Sequence, residues 1–376
     1  MKIERISTFV VGNPWKNWVI VRVETDAGLT GLGEATGITS APMAAEAKEM
    51  ARFVIGLDPC EPLRVADALE KGAYLSLKPA GCAIEIACWD ILGKSLGVPV
   101  WRLLGGRLHP RLRVYANGWY TCPRDPKAIA ERAAEVVQMG YTALKFDPFG
   151  TAYLELDRAE ERLSLAIVRA VREAVGDDVD LLIEGHDRFA MPAALRLGRA
   201  LAEFRPMCFE APVNSYNLEA TIEVARAIPI PVASGERLQY PSEFRALLQG
   251  GFVSIVQPET LRCGGISGVM RVAALARAYE AQVACHQAQS PLNTAVNAHL
   301  HTTMPHFLIH ECFDDFLVPW ASDVFRGVPK VARGYLEVPE TPGLGVEFDE
   351  KEAAKHPYGE DNMIRLFEVG WESRDR

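Results

Sequence analysis

The sequence predicts an α/β protein in which a parallel β/α barrel follows a smaller α+β domain. Short apolar runs, each long enough for a strand, recur about every 25–30 residues over roughly 200 residues, as they do in such barrels. Segments with helical periodicity lie between most of these runs. Before residue 111 the order is different, because strand patterns come first and helical patterns follow them.

The composition limits both the number of domains and the class of protein. The 376 residues correspond to roughly two domains at about 150 residues each. Hydrophobic residues make up 49% and charged residues 24%, which is typical of globular proteins and excludes disordered or fibrous chains. The net charge is −9, and the sequence lacks the clusters of Lys and Arg that nucleic-acid binding requires.

The sequence also lacks the signals of a membrane or an oxidising compartment. It contains no apolar run of about eighteen residues, and Met1–Arg5 has mixed charge rather than the start of a signal peptide. Its eight cysteines are scattered without a CxxC pair, so we interpret them as free, buried thiols. We therefore expect a cytoplasmic protein with a small-molecule substrate and with neither membrane nor nucleic-acid partners. We also expect it to be a homo-oligomer.

The first 110 residues are predicted to form the α+β domain. Trp18–Thr25 and Thr30–Ala35 read as two strands joined by a turn at Asp26-Ala27-Gly28. Three helical patterns follow, at Pro42–Phe53, Glu61–Glu70 and Ala83–Leu96.

Residues 111–330 are predicted to form the barrel. The eight apolar runs are Val114–Ala116, Ala143–Phe146, Leu181–Ile183, Met207–Phe209, Val232–Ser234, Val253–Val256, Gln282–Cys285 and Phe307–His310. Helical patterns such as Leu156–Val175 and Asn217–Ala227 separate most of them. A doubly wound open sheet has the same alternation, but the GxGxxG motif that would follow its first strand is absent. Residues 331–376 are irregular, and we expect them to return to the first domain.

Three glutamates follow consecutive predicted strands at equal spacing. The interval from Glu184 to Glu210 is 26 residues, as is the interval from Glu210 to Glu236. Because the carboxyl ends of parallel strands meet at one rim, we expect these three side chains to converge. Converging carboxylates repel one another unless a cation lies between them, and an all-oxygen ligand set favours Mg²⁺. The sequence therefore predicts one Mg²⁺ per site, although each acid taken alone is also compatible with a solvated loop or an ion pair.

Other strand ends carry groups suited to proton transfer. His286 ends the seventh predicted strand, and Glu259 follows the sixth, so the carboxylate can orient the imidazole as a general base. His186 lies two residues after Glu184 and so on the same side of its strand. Lys145 ends the second strand, where it is either a functional group beside the metal or a structural ion-pair partner. Four other histidines, His299, His301, His306 and His356, are interpreted as structural.

Longer motifs extend over nearly the whole chain and carry a family resemblance. They are Ala87–Lys94, Pro99–Gly106, Tyr115–Tyr120, Lys145–Gly150, Gln257–Glu259 with Gly264-Gly265, and Pro342–Val346. In these motifs the chain resembles the enolase superfamily, specifically the gluconate and galactonate dehydratase-type members of its mandelate racemase subgroup. The resemblance implies a modified (β/α)7β TIM barrel with an α+β capping domain, and a magnesium-dependent lyase.

The resemblance also implies roles for individual residues. The three equally spaced glutamates match the Mg²⁺ ligands, and His286 with Glu259 matches the dyad that removes a proton. Glu311 matches the eighth-strand acid that hydrogen-bonds the substrate carboxylate. Lys145 matches the first lysine of a second-strand pair, and His186 matches a third-strand general acid. Further substrate contacts are expected from Asp147, Asn117, Trp119 and Tyr120.

Four positions depart from the family pattern. Asp147 stands where a racemase has a second lysine, Glu184 and Glu259 stand where Asp is commoner, and Ala211 follows Glu210 in place of a second acid or amide. The first departure bears on mechanism. Without a second lysine, the site lacks one of the two opposed bases that invert a carbon centre.

We therefore expect a Mg²⁺-dependent dehydratase of an aldonic or aldaric acid, a hydro-lyase. It would remove the proton beside the carboxylate and expel the neighbouring hydroxyl to give a 2-keto-3-deoxy acid. An epimerase, racemase or cycloisomerase passes through the same enediolate and remains an alternative, as does a non-catalytic barrel that binds a ligand. Specificity is expected from two capping-domain segments, Val11–Trp18 and Gly56–Glu61.

Overall fold

The structure, a computed structural model, describes residues 1–37, 39–73 and 79–372. Its N-terminal part is an antiparallel sheet in which β2 (Trp18–Thr25) pairs with both β1 (Ile3–Val11) and β3 (Thr30–Ala35). The helices of this part are α1 (Ser40–Met50), α2 (Pro62–Gly72), α3 (Pro79–Leu96) and α4 (Val100–Leu103). Strand β1 was not predicted, because its buried residues do not alternate with exposed ones.

Helix α3 packs closely against β3, and two glycines of that strand permit the approach. A Cβ atom on Gly33 would lie 1.9 Å from the carbonyl oxygen of Ala83, and one on Gly31 would lie 2.0 Å from that of Ala87. Real Cβ atoms do not come so close to a backbone oxygen. Glycine at positions 31 and 33 therefore allows α3 to lie directly on β3.

Eight parallel strands close into a barrel. They are β4 (Arg111–Ala116), β5 (Ala143–Phe146), β6 (Asp180–Glu184), β7 (Cys208–Glu210), β8 (Val232–Ser234), β9 (Ile255–Val256), β10 (Gln282–Val283) and β11 (His310–Cys312). Strand β11 pairs with β4, and a parallel bridge between Val283 and Phe307 closes the remaining gap. The predicted barrel is confirmed. The eighth strand, however, begins at His310, which is the last residue of the run Phe307–His310 that was predicted to form it.

Helices cover the outside of the barrel between successive strands. They are α5 (Pro126–Gln138), α6 (Arg158–Val175), α7 (Met191–Leu201), α8 (Leu218–Ala227), α9 (Pro241–Gln249), α10 (Gly265–Ala278) and α11 (Pro291–His301). The side chains of Asp125, Asp157 and Ser290 cap α5, α6 and α11 by accepting hydrogen bonds from backbone N–H groups of the first turn. After β11 the described chain continues instead into a short 3₁₀ turn, Asp314–Phe316, so the barrel has the (β/α)7β pattern.

The C-terminal segment contacts both parts of the molecule. Its elements are α12 (Ala321–Val324), β12 (Phe325–Arg326), β13 (Val331–Ala332), β14 (Tyr335–Glu337), β15 (Glu347–Phe348) and α13 (Glu350–Ala353). Strand β14 pairs antiparallel with β4 of the barrel. Further on, Gly12 of the N-terminal part donates a backbone hydrogen bond of 2.8 Å to His356. In the described residues, no helix is long and apolar enough to cross a membrane.

Two buried glutamates of the N-terminal part hold it over the rim of the barrel. Glu85 accepts hydrogen bonds from the backbone N–H groups of Ile266 (2.9 Å) and Ser267 (3.0 Å) at the start of α10. Glu34 accepts a hydrogen bond of 3.0 Å from the backbone N–H of Ser290, the residue that caps α11. Burial raises the pKa of both carboxyls to about 7. Because helix N-termini follow the carboxyl ends of the strands, these contacts place the capping domain above the rim where a site can form.

Candidate active site at the carboxyl ends of the strands

Strand periodicity sets which side chains meet at the rim. One buried layer inside the barrel consists of Tyr115, Ala143, Leu182, Cys208, Ala233, Ile255, Ala284 and Ile309. Side chains two positions later face the same side of a strand. Those positions are Asn117, Lys145, Glu184, Glu210, Gln257, His286 and Glu311. At β8 the position is Gly235, with φ +127°, and the acid Glu236 comes one residue later. The rim is therefore a polar layer directly above an apolar one.

Lys145 lies at the centre of a group of buried carboxylates. Its Nζ atom is 2.5 Å from Glu210, 2.8 Å from Glu311 and 3.1 Å from Glu184, and each of these side chains is at most 2% exposed. The pKa of Glu210 is raised to about 7, chiefly by burial and then by the charge of Glu184. Burial opposes the charged form of Lys145, but the surrounding carboxylates raise its pKa well above the usual value. The surrounding carboxylates therefore keep Lys145 protonated deep in the barrel.

His286 and Glu259 form the predicted pair. The Nδ1 atom of His286 lies 2.7 Å from Oε2 of Glu259, and its Nε2 atom lies 3.2 Å from Oε2 of Glu236. Burial alone would lower the pKa of His286, but the charge of Glu236 and the hydrogen bond to Glu259 raise it to about 10. The pair fixes the ring through Nδ1, so that Nε2 is the atom that can exchange a proton with a ligand.

His186 belongs to a second, separate pair. Its Nδ1 atom lies 2.5 Å from Oδ2 of Asp147, and Arg188 contacts the same carboxylate oxygen. Burial would raise the pKa of Asp147, but the charge of Arg188 and the contact with His186 lower it. His186 sits at φ +50°, and its ring packs edge-on against Trp371 at 5.3 Å between centroids. Asp147 thus remains ionised and orients the imidazole of His186.

One cavity of about 290 Å³ lies at this rim and is lined by both histidines. Its wall also includes Lys145, Glu184, Glu236 and Glu259 from the barrel. The capping segment Val11–Trp18 contributes Trp15 and Lys16, as expected, whereas Gly56–Glu61 contributes none of the lining residues. The C-terminal segment adds an apolar side made of Ile364, Leu366 and Trp371, which no pattern in the sequence indicated.

The expected substrate contacts divide into two groups. Asn117 and Tyr120 line the cavity, and Asn117 also donates a 2.7 Å hydrogen bond to Glu311. Trp119 and Asp147 are not among the described residues that line it. Trp119 is fully buried and donates its indole N–H to the carbonyl of Lys145 at 2.8 Å, and Asp147 is occupied by His186 and Arg188. These two residues therefore contact Lys145 and His186, which line the cavity, and do not line it themselves.

The three glutamates fit a divalent cation by donor type and by strand position. Glu184 and Glu210 are ladder partners on neighbouring strands, and Glu236 follows the next strand. As they stand, however, no three His, Cys, Asp or Glu side chains of the described residues are gathered closely enough to hold a metal ion. Glu184 and Glu210 both contact Lys145, whereas Glu236 contacts His286 and Arg237. The fit to Mg²⁺ therefore rests on the all-oxygen donor set and on the positions of the three acids at the ends of neighbouring strands.

The four histidines interpreted as structural have partners away from the cavity. His299 contacts the carbonyl of Leu344, His306 contacts that of Ala273, and His356 stacks on Trp320. His301 pairs with His310, and burial lowers the pKa of both. All eight cysteines are free.

Family profiles match most of the chain. Residues 6–105 match the N-terminal domain of the mandelate racemase / muconate lactonizing enzyme family, and residues 128–352 match the enolase C-terminal domain-like family.

Curated relatives match along nearly the whole length. D-gluconate dehydratase of Thermoproteus tenax is 36% identical over 91% of this chain and 70% of its own length. D-gluconate/D-galactonate dehydratase of Picrophilus torridus is 33% identical over 96% of this chain and 93% of its own. D-xylonate dehydratase of Haloferax volcanii is 33% identical over 91% of this chain and 85% of its own length.

Solved structures give the same result. The mandelate racemase/muconate lactonizing enzymes of Sulfitobacter sp. and Jannaschia sp. CCS1 superpose with TM-scores of 0.90 and 0.89, each at 34% identity. The former match covers 98% of both chains, and the latter covers 96% of this chain and 98% of the other. The chain therefore belongs to the enolase superfamily, within its mandelate racemase/muconate lactonizing enzyme family.

Proposed function

We propose that this protein is a Mg²⁺-dependent dehydratase that converts an acid sugar to its 2-keto-3-deoxy acid. One observation carries the proposal: two imidazoles, each fixed through Nδ1 by a buried carboxylate, line a single cavity together with Lys145. Elimination of water needs a base and an acid held apart in this way. Relatives named as dehydratases of gluconate, galactonate and xylonate support the same reaction class.

The first step is removal of the proton on the carbon beside the carboxylate. That carbon acid is very weak, and the enediolate that forms places negative charge on the carboxylate oxygens. Lys145 supplies fixed positive charge for these oxygens. Glu311 is held by Asn117 and by the N–H of Gln287 at 2.7 Å, contacts Lys145 at 2.8 Å and is not among the described residues that line the cavity, so we assign it the role of positioning Lys145 and not the substrate contact first expected. Such pre-organised charge lowers the barrier without reorganisation during the reaction.

Glu184, Glu210 and Glu236 would hold the Mg²⁺ ion. When bound, the ion would supply Lewis-acid stabilisation of the enediolate oxygens and offset the Glu236 charge that raises the pKa of His286. His286 then accepts the proton on Nε2, while Glu259 stabilises the resulting imidazolium. A positioned base of this kind contributes about 10²–10⁴-fold to the rate.

The second step is loss of the hydroxyl on the next carbon. Hydroxide is a poor leaving group, so a proton must arrive as the carbon–oxygen bond breaks. The charges of Glu184 and Asp147 outweigh burial and raise the pKa of His186, which favours its protonated form. His186 gives its proton to the departing oxygen, water leaves, and the enol product tautomerises to the 2-keto-3-deoxy acid.

Asp147 favours dehydration over epimerisation. Inversion at a carbon centre needs a base on each face, and a lysine at position 147 would supply the second. The Asp147 carboxylate is instead held by His186 and Arg188, so we assign it a positioning role and not the substrate contact first expected.

We also propose the domain division expected from the sequence: residues 1–110 with 331–376 as the capping part, and residues 111–330 as the barrel. The separate sheet of β1, β2 and β3 and the ring of strands from β4 to β11 support the first two bounds. The hydrogen bond from Gly12 to His356 supports the return of the last segment to the cap, although its strand β14 pairs with β4 of the barrel. Free cysteines support a reducing, cytoplasmic setting. The homo-oligomeric state stays a prediction, which light scattering on the purified protein would test.

The test is a screen of aldonic and aldaric acids in the presence of Mg²⁺, with the 2-keto product detected as its semicarbazone. We expect product from at least one acid, none after chelation with EDTA, and recovery when Mg²⁺ is restored. Proton NMR in D₂O separates the alternatives, because an epimerase returns an inverted acid and a cycloisomerase returns an isomer. Mg²⁺ binding without turnover of any acid would contradict the proposal and favour a binding barrel.

A further inference from the structure

The cavity contains two cations that the reaction described above does not use. Four basic side chains line it: Lys145, Arg237, Lys16 and Arg262. Lys145 is paired with three carboxylates, and Arg237 is paired with Asp187 and Glu236. In the part of the chain that the structure describes, neither Lys16 nor Arg262 forms an ion pair. An unpaired cation in a partly enclosed cavity is costly unless a ligand supplies the anion.

Lys16 is held in place by neutral groups. Its Nζ atom donates to Oε1 of Gln289 at 2.6 Å and to Oγ1 of Thr36 at 3.0 Å. An ammonium group has three donors, so one remains for a ligand. Both acceptors belong to residues of the cavity lining, and Lys16 itself comes from the capping loop between β1 and β2.

Arg262 approaches the same region from the barrel. It lies in the turn after Glu259, where its backbone N–H donates to the Glu259 carbonyl at 2.9 Å. The side chain is half-buried, and within the described residues its guanidinium makes no hydrogen bond. Both cations line the same cavity. Burial lowers the pKa of Lys16 to about 8; the charges of Glu259 and Glu34 oppose this shift, and the charge of Arg262 adds to it.

We propose that Lys16 and Arg262 bind the terminal carboxylate of an aldaric acid. This inference rests on the proposed function, which places the reacting carboxylate beside Lys145 at the strand ends. Lys145 makes its contacts with acids of β6, β7 and β11, whereas Lys16 comes from the capping loop and Arg262 from the turn after Glu259, so we assign the other end of the substrate to these two cations. A guanidinium matches a carboxylate with two parallel hydrogen bonds, and the ammonium adds a third donor. The site would therefore prefer a sugar diacid to the matching aldonic acid.

The test compares matched acids that differ only at the terminal carbon. Calorimetry with Mg²⁺ present measures the affinity for D-glucarate against D-gluconate and for galactarate against D-galactonate. All proteins carry His186→Asn, which should slow dehydration by about 10²–10⁴-fold and so limit turnover during the titration. We expect at least one diacid to bind about 10-fold or more tightly than its aldonic partner, as a charge-assisted pair is lost in the monoacid.

Variants then test whether Arg262 and Lys16 cause the preference for the diacid. Arg262→Gln and Lys16→Gln should each weaken diacid binding by roughly 10–100-fold and leave aldonic-acid binding nearly unchanged. Arg262→Lys should restore part of the affinity. Arg271→Gln, which removes an exposed arginine from helix α10, is the matched control and should have no effect.

Each outcome decides one question. Equal affinity for both members of every pair, or equal losses for diacid and monoacid in the variants, would overturn the inference. Preferential diacid binding with no turnover of any acid by the wild-type protein would support the inference and refute the dehydratase. Turnover of aldonic acids without a diacid preference would leave the dehydratase intact and overturn the inference.

Discussion

His186→Asn should separate the two halves of the proposed reaction. The substitution keeps an N–H donor near the position of Nδ1, so the hydrogen bond to Asp147 at 2.5 Å can be retained. It also suits the backbone, because His186 has φ +50° and asparagine adopts positive φ more readily than most residues. The variant should therefore fold normally and lose only the proton that the imidazole supplies.

The expected size of the effect follows from the role of a general acid. Such a group contributes about 10²–10⁴-fold, so formation of the 2-keto product should fall by that factor. Proton removal uses His286, which is held by Glu259 at 2.7 Å and does not depend on His186. Exchange of the α-proton with solvent should continue near the wild-type rate.

Proton NMR of the substrate in D₂O measures both processes in one sample. Loss of the α-proton signal reports exchange, and the new methylene signals report dehydration. The control is His306→Asn, which alters a histidine bound to the carbonyl of Ala273 outside the cavity and should change neither rate. If His186→Asn abolished exchange together with dehydration, or affected neither, the acid role of His186 would be refuted.

Three further predictions test the base, the buried ion pair beside the general acid, and the interface between the capping part and the barrel. His286→Asn should reduce both exchange and dehydration by about 10²–10⁴-fold in the same NMR assay, and retained exchange would exclude it as the base. Asp147→Asn should lower the free energy of unfolding by about 3–5 kcal/mol in urea titrations, because it leaves the buried Arg188 without its charged partner; no loss of stability would show that the pair is not structural. Glu85→Ala should cost about 2–5 kcal/mol by the same measurement, since the N–H groups of Ile266 and Ser267 lose their acceptor, and a cost below about 1 kcal/mol would contradict the interface described here.

The sequence was sufficient for most barrel strands because their signals are local. A buried parallel strand is a short apolar run, and the polar residue that ends it must lie at the rim. Ala143–Phe146 and Val232–Ser234 have the predicted bounds, and Glu184 and Glu210 are the last residues of their strands.

Tertiary pairing decided the elements that were missed or shifted. Strand β1 has no alternating pattern, and its place depends on pairing with β2. The eighth strand follows the apolar run Phe307-Leu308-Ile309, because its ladder partners on β4 are Val114 to Ala116. Glu311 therefore lies within that strand.

Loop residues account for what the sequence could not give at the site. Arg188 contacts Asp147 across 41 positions of sequence, and Trp371 reaches His186 from the other end of the chain. The sequence feature that came closest to indicating a role for Arg188 is its position four residues after Glu184, which ends a strand. Lys16 lies in the capping segment Val11–Trp18, which was expected to contribute to specificity, but no sequence pattern near Arg262 or Ile364 indicated a cavity.

The most direct test of the central claim is the position of a divalent cation in crystals grown with Mn²⁺ in place of Mg²⁺. Mn²⁺ accepts the same oxygen ligands, and its anomalous scattering locates it without ambiguity. The account predicts one strong peak bounded by Glu184, Glu210 and Glu236, with ligand distances slightly longer than the roughly 2.0–2.1 Å of Mg²⁺. A peak elsewhere, or none at millimolar Mn²⁺, would contradict the metal site and the mechanism built on it.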